Sequence, residues 1–184
     1  MRALSILTAA ALAAVVLAGC GSSKHTQPAS TLTPQQYATA VVNRLLRPLT
    51  KDLSVLNALN SPDVKLYLLT AQPTTVRILK QRLLDLRMCT DRLDRIGAPP
   101  SDPPGLARID AKLRTTCAHY VRVASKLLAA VAKLGSSDPA VKKQGTAAFS
   151  SVFGESKQGA LALRDAVALM QAQPAFRQAG VRSG

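Results

Sequence analysis

Apolar residues recur every three or four positions along most of the chain after residue 33, which is the spacing of one face of an α-helix. The first such segment opens at Thr33, which precedes a proline and has Gln36 three residues after it, the pattern of a capping box. Pro48 should bend or split this helix, because an interior proline loses one backbone hydrogen bond and costs about 3 kcal/mol. The apolar positions are Ala38, Val42, Leu45, Leu49, Leu53, Leu56 and Leu59.

The middle of the chain predicts two more amphipathic helices, at about 74–96 and 106–134, joined by a loop at 97–105 that four prolines stiffen. A shorter segment, 64–72, should lie across one end of the fold. The apolar positions are Val76, Leu79, Leu83, Leu86, Cys89, Leu93 and Ile96 in the earlier helix, and Leu106, Ile109, Leu113, Cys117, Tyr120, Ala124, Leu127, Val131 and Leu134 in the later one.

The last predicted helix opens at Asp138, again a capping residue followed by proline, and runs to about Ala172. Three glycines inside it each cost about 1 kcal/mol relative to alanine, so we expect a break near Phe153. The basic tail, 173–184, is expected to be frayed. The glycines are Gly145, Gly154 and Gly159.

Long amphipathic helices joined by short turns bury their apolar faces best against one another. No strand-like alternation and no internal repeat stands out in the sequence. The pattern therefore predicts an all-α fold, an antiparallel bundle of about four main helices spanning 34–172.

A different pattern occupies the N-terminus. Arg2 precedes an uninterrupted run of small and apolar residues at 3–18, which is typical of a secretory signal peptide. As a helix this run spans roughly 24 Å, short of the roughly 30 Å hydrocarbon core of a bilayer, so a stable transmembrane span is not expected.

The residues that follow, Leu17-Ala18-Gly19-Cys20, resemble the lipobox of bacterial lipoprotein precursors. The resemblance implies that the Cys20 thiol receives a diacylglyceryl group and that cleavage removes residues 1–19, which would anchor the protein on the extracytoplasmic face of the cell membrane. An ordinary signal peptide is the alternative. Residues 20–33 are polar and lack large apolar side chains, so they predict a flexible tether. The order of a lipobox, a polar tether and a helical bundle, with enrichment in Ala and Arg, is similar to that of small helical lipoproteins of high-GC Gram-positive bacteria.

The net positive charge of the chain indicates a class of binding partner. The chain has 24 Lys and Arg against 10 Asp and Glu, and loss of residues 1–19 removes one arginine, which leaves a net charge of +13. Outside a membrane this excess suits anionic lipid headgroups or cell-wall polymers, although it could also serve solubility alone. Nucleic acid is not expected, because aromatic residues for base stacking are scarce, with no Trp, three Tyr and three Phe. A protein partner is left open.

The cysteines predict one disulfide bond. With Cys20 acylated, Cys89 and Cys117 remain as an even pair in an oxidising compartment. Both lie on apolar faces of neighbouring helices, about 12 and 16 Å from the loop between them, and a modest stagger brings them within disulfide range. We expect a Cys89–Cys117 bridge.

Candidate chemistry is sparse. Known phosphate-binding, hydrolase and metalloprotease motifs are absent from the sequence, and Glu155 is its sole glutamate. His119 lies two residues from Cys117, but that spacing turns the side chains about 200° apart on a helix. His119 and Tyr120 as haem ligands are less favoured than core positions. We therefore predict no catalytic residue, cofactor or metal, and no enzymatic activity.

One residue breaks the pattern. Arg82 lies between Cys89 and Leu93 on the apolar face of its helix, so it must reach past its neighbours to water or form the polar floor of a cavity. Asp110 would be roughly 21 Å away, too far to pair.

The leading hypothesis is a lipid-anchored, non-enzymatic bundle with a basic surface. The alternative is a carrier that holds an apolar ligand between helices, with Arg82 at an acidic headgroup; an enzyme ranks third.

Overall fold

The computed structural model describes residues 32–58 and 73–181. The predicted signal peptide, most of the tether, Cys20 and the predicted short segment 64–72 lie outside the described residues. Within the described ranges the secondary structure is helical throughout, which confirms the predicted all-α class.

Helix α1, Pro34–Ala40, begins with the predicted capping box. The Gln36 amide N–H donates to the Thr33 hydroxyl at 3.2 Å, and the Thr33 amide N–H donates to Gln36 Oε1 at 2.9 Å. Two backbone donors at the helix start are thereby satisfied by side chains, so local sequence alone accounts for where the helix begins.

A π-helical turn, Val41–Leu46, separates α1 from helix α2, Arg47–Ala58. The Arg47 amide donates to the carbonyl of Val42, five residues back. Buried side chains recur here every four residues, and on a regular α-helix each such step turns the side chain about 40° further round the axis. The wider π turn offsets this drift and keeps these side chains on one face. The predicted irregularity at Pro48 is confirmed, and it lies just before the proline. The buried side chains are Tyr37, Val41, Leu45 and Leu49.

Helices α3, Pro73–Arg87, and α4, Cys89–Asp94, replace the single helix predicted at 74–96. Met88 interrupts them with φ −78° and ψ 5°, a one-residue break after which Leu93 and Ile96 are still buried. The chain leaves α4 through Gly97, whose φ of +90° is open to glycine at little steric cost. The proline-rich loop follows as predicted.

Helix α5, Gly105–Leu134, is the central element and is about 45 Å long. Helices α3 and α4 pack against it, and so do α6, Pro139–Ser151, and α7, Phe153–Gln171. The connections make these neighbours antiparallel to α5, as the bundle prediction requires. The break expected near Phe153 is confirmed, because Val152 separates α6 from α7.

The Cys89–Cys117 disulfide joins α4 to α5 with a Cα–Cα distance of 5.2 Å, as predicted. Both cysteines are fully buried in the core. The bridge aligns the two helices on either side of the proline-rich loop.

The predicted frayed tail is wrong for the residues up to Val181. A short helix α8, Pro174–Gln178, follows α7 and packs against α1. Phe176 is fully buried, and its ring meets that of Tyr37 edge to face at 6.4 Å between centroids. The Phe176 side chain buries enough apolar surface to anchor this short segment, and Ala175, Ala179 and Val181 pack against the core beside it.

Candidate functional site

Asp52 is the most buried carboxylate among the described residues, with 3% of its surface exposed. Arg92 Nη1 donates to its Oδ2 at 2.8 Å, and Arg82 Nη1 lies 3.7 Å from its Oδ1. Arg82 also lies 3.9 Å from Asp85, and its side chain is 30% exposed. These ion pairs between α2 and the α3–α4 segment account for an arginine on an apolar face. That Arg82 also contacts a ligand stays a prediction.

Asp110 lies in a second buried cluster and forms no ion pair with Arg82, as expected. The Tyr37 hydroxyl donates to its Oδ1 at 3.0 Å, and Arg114 Nε donates to its Oδ2 at 2.7 Å. Arg114 Nη1 also donates to Asp94 Oδ1 at 2.6 Å. Burial, followed by the nearby Asp110 charge, holds the pKa of Tyr37 far above its usual range. The Asp94 hydrogen bond, with help from Asp110, raises the pKa of Arg114.

A third cluster surrounds Glu155 at the start of α7. His119 Nδ1 lies 2.6 Å from Glu155 Oε1, and Arg122 donates to the same oxygen through Nε at 2.9 Å. Hydrogen bonding from His119, and then from Arg122, lowers the pKa of Glu155. The arrangement is an ion-paired helix contact, and a Cys117–His119 nucleophilic pair is unavailable because Cys117 is bridged.

Most acidic side chains of the described residues form ion pairs. Many exposed Lys and Arg side chains, in contrast, have no carboxylate within 4.0 Å among the described residues. One group of such cations lies along the α5–α6 hairpin, where Asp138 is the sole acidic residue between 123 and 154 and caps α6. We call this group the hairpin lysines: Lys126, Lys133, Lys142 and Lys143. The ion-paired carboxylates are Asp52, Asp85, Asp94, Asp110, Glu155 and Asp165.

Two further unpaired cations, Arg44 and Arg95, share an open groove of about 570 Å³. We call it the Arg44–Arg95 groove. The π-helical turn carries Arg44 on one side, and the residues that follow α4 carry Arg95 on the other. None of the described residues that line it is acidic. The lining residues are Leu32, Gln35, Gln36, Thr39, Ala40, Asn43, Arg44, Arg95 and Ile96.

The remaining polar groups of this groove are largely unengaged. Gln36 is committed to the capping box. Gln35, Thr39 and Asn43 make no side-chain hydrogen bond to any other described residue. The groove therefore offers two guanidinium groups and three neutral polar groups to a solute, a donor-rich surface suited to an anion.

A second groove, of about 370 Å³, lies between α2 and α7 over Tyr120. Its lining is mostly apolar, with Arg164 as its charged residue. Arg82 lines neither groove. The lining residues are Leu53, Leu56, Tyr120, Ser156, Ala160, Leu163, Arg164 and Val167.

Sequence reasoning missed both grooves and the partner of Arg82. Asp52 carried a usable signal, because it lies three residues after Leu49 and four before Leu56, in the rhythm of the buried face. Arg44 and Arg95 are 51 positions apart, and no pattern in the sequence indicates that they line one groove.

The described residues hold no cluster of three or more His, Cys, Asp or Glu arranged to bind a metal ion. None of their helices is both long and apolar enough to span a bilayer. Comparison with known proteins finds no matching family model, curated protein or solved structure.

Proposed function

We propose that this protein is a lipid-anchored, non-enzymatic helical bundle on the extracytoplasmic face of the cell membrane, and that it displays a basic surface to anionic lipids or polymers. The observation that carries the proposal is the distribution of charge. Carboxylates are mostly held in ion pairs within the fold, so the positive excess of the chain is displayed by exposed, unpaired lysines and arginines.

Such a surface has an energetic consequence near an anionic membrane. Each lysine or arginine close to the surface contributes about 1 kcal/mol, and the attraction decays over a Debye length of about 8 Å at physiological salt. The hairpin lysines and the Arg44–Arg95 groove are two places where described cations lie close together without an ion-paired carboxylate. Contact through either would be strong at low salt and weak at high salt.

The anchor part of the proposal rests on Cys20 and the polar residues after it. Twelve residue steps separate Cys20 from Leu32, where the described chain begins, and a fully extended chain spans at most about 40 Å over that length. An acylated Cys20 would therefore hold the bundle within about 40 Å of the bilayer. Two or more acyl chains give stable attachment where one does not.

Two measurements test the two parts. Cys20→Ser should move the protein from the membrane fraction to the medium, or leave the precursor uncleaved; identical partitioning of variant and wild type would contradict the anchor. A mature chain starting at Ser22, which retains every described residue, should bind vesicles containing phosphatidylglycerol at low salt and ignore phosphatidylcholine vesicles. Equal indifference to both would contradict the basic-surface role.

The mostly apolar groove between α2 and α7 favours a second function, a carrier of an apolar ligand with an acidic head beside Arg164. A fluorescent fatty acid should then bind the mature chain with one-to-one stoichiometry. Ala160→Trp, which fills the groove, should abolish binding, and Ala147→Trp on the exposed face of α6 should not. Equal binding by both variants would eliminate this groove as the site.

A further inference from the structure

We propose that the Arg44–Arg95 groove binds the phosphate of an anionic phospholipid headgroup. The inference rests on the proposed function and deepens it, because it assigns membrane contact to one built site instead of to the charged surface as a whole. The shared chemistry is a phosphate ester, which a soluble phosphate could also present.

The two arginines are free to take an anion because neither has a carboxylate within 4.0 Å among the described residues. Asp94, the residue before Arg95, is 2.6 Å from Arg114. Asp91 lies one turn before Arg95 on α4, yet no ion pair within 4.0 Å joins them among the described residues. Arg44 is exposed on the π-helical turn and has no carboxylate partner there either. Guanidinium groups match phosphate geometry with paired, parallel hydrogen bonds.

The rest of the lining fits a headgroup better than a bare ion. The groove holds about 570 Å³, far more than the roughly 30 Å³ of one water in the liquid. Gln35, Thr39 and Asn43 can hydrogen-bond ester oxygens and hydroxyls, while Ala40 and Ile96 offer apolar contact. A phosphate joined to glycerol and to the start of an acyl chain presents this mixture of groups.

The position of the groove favours a lipid source. Leu32, which lines the groove, is also where the described chain begins, so the segment from Cys20 enters the bundle at this site. An anchor at Cys20 would keep the groove within about 40 Å of the headgroup layer. A soluble phosphate gains nothing from this placement, whereas a membrane lipid is presented at high local concentration.

The test compares two charge-matched double variants of the mature chain. Arg44→Gln/Arg95→Gln removes the two groove cations, and Arg77→Gln/Arg87→Gln removes two exposed arginines of α3. The probes are phosphatidylglycerol vesicles at about 0.15 M salt and soluble glycerol phosphate. We expect the groove variant to bind the vesicles about thirtyfold more weakly than wild type, and the α3 variant less than about threefold more weakly. Neither variant loses an ion pair, so both should keep the melting temperature of wild type.

Each other outcome has a separate meaning. Equal weakening in the two variants would overturn the groove and leave the basic-surface function standing. Absence of vesicle binding by wild type would overturn the proposed function and the lipid site together. Glycerol phosphate that binds wild type as tightly as the vesicles do, with loss in the groove variant, would overturn the lipid source in favour of a soluble phosphate ester.

Discussion

The hydroxyl of Tyr37 donates a 3.0 Å hydrogen bond to Asp110 Oδ1 across 73 positions of sequence. It joins the first helix to the central one, and Arg114 completes the cluster from the next turn of the central helix. Because Tyr37 and Asp110 are both buried, neither group can replace the other with water at low cost.

Tyr37→Phe should lower the free energy of unfolding by about 1.5 to 3 kcal/mol, the contribution of a hydrogen bond to a charged group. Tyr120→Phe is the matched control, because the Tyr120 hydroxyl bonds to no other described side chain, and it should cost less than about 0.5 kcal/mol. Urea denaturation of both variants measures the difference. Equal losses would show that the Asp110 contact contributes nothing specific.

Alkaline pH should destabilise the protein through the same tyrosines. Burial raises the pKa of Tyr120 to about 12 and, with the Asp110 charge, holds the pKa of Tyr37 higher still. The unfolded chain releases these protons near pH 10, so their stabilisation is complete below about pH 10 and is lost as pH rises above it. Each tyrosine adds a slope of about 1.4 kcal/mol per pH unit. Unfolding measured between about pH 9 and 12 should show a shallower decline in Tyr37→Phe than in wild type; parallel declines would contradict this assignment.

Acid should weaken the contact between α5 and α7. Hydrogen bonds from His119 and then Arg122 lower the pKa of Glu155. Their stabilisation is therefore present above the unfolded glutamate pKa of about 4.3 and is lost as pH falls through the lower folded value. Glu155→Gln should lose less stability than wild type between neutral pH and about pH 3. Asp165→Asn, at an exposed pair with Lys112, is the control and should follow wild type. A Glu155→Gln curve that superimposes on wild type would contradict the prediction.

Two glycines of α7 should respond oppositely to alanine. A Cβ at Gly154 meets nothing within 4 Å, so Gly154→Ala should stabilise by about 0.4 to 1 kcal/mol. A Cβ at Gly159 would lie 3.0 Å from the Tyr120 ring and 3.3 Å from His119 Cβ, so Gly159→Ala should destabilise despite the gain in helix propensity. Thermal melts of the two variants should move in opposite directions; shifts of the same sign would mean that α5 and α7 are not closely packed at Tyr120.

The Cys89–Cys117 bridge closes a loop with a sequence separation of 28, which corresponds to roughly 3 to 4 kcal/mol of chain entropy. Intact mass of a mature Cys20→Ser chain should read two daltons below the reduced value. Reduction should lower the urea midpoint by the corresponding amount. Two thiols that react with a labelling reagent in the native, unreduced protein would contradict the pairing.

Local residues were sufficient to predict several boundaries. Thr33 with Gln36, and Asp138 with its following proline, start helices because their side chains satisfy backbone donors within three residues. The break near Phe153 also followed from nearby residues, since glycines lower helix propensity there. These effects act within one or two turns, so a single sequence contains all the information they need.

The sequence by itself determined the helical class, the caps and the buried faces of the helices up to Leu134, and from those faces and the count of cysteines the disulfide. Only the tertiary structure decided which side chains of different helices meet. Asp52 forms ion pairs with Arg82 and Arg92, and Phe176 packs against Tyr37. Arg44 and Arg95 line the same groove. The physical reason is that periodicity specifies the buried side of each helix but leaves its height and rotation against its neighbours open. Contacts between residues 30 to 139 positions apart depend on both.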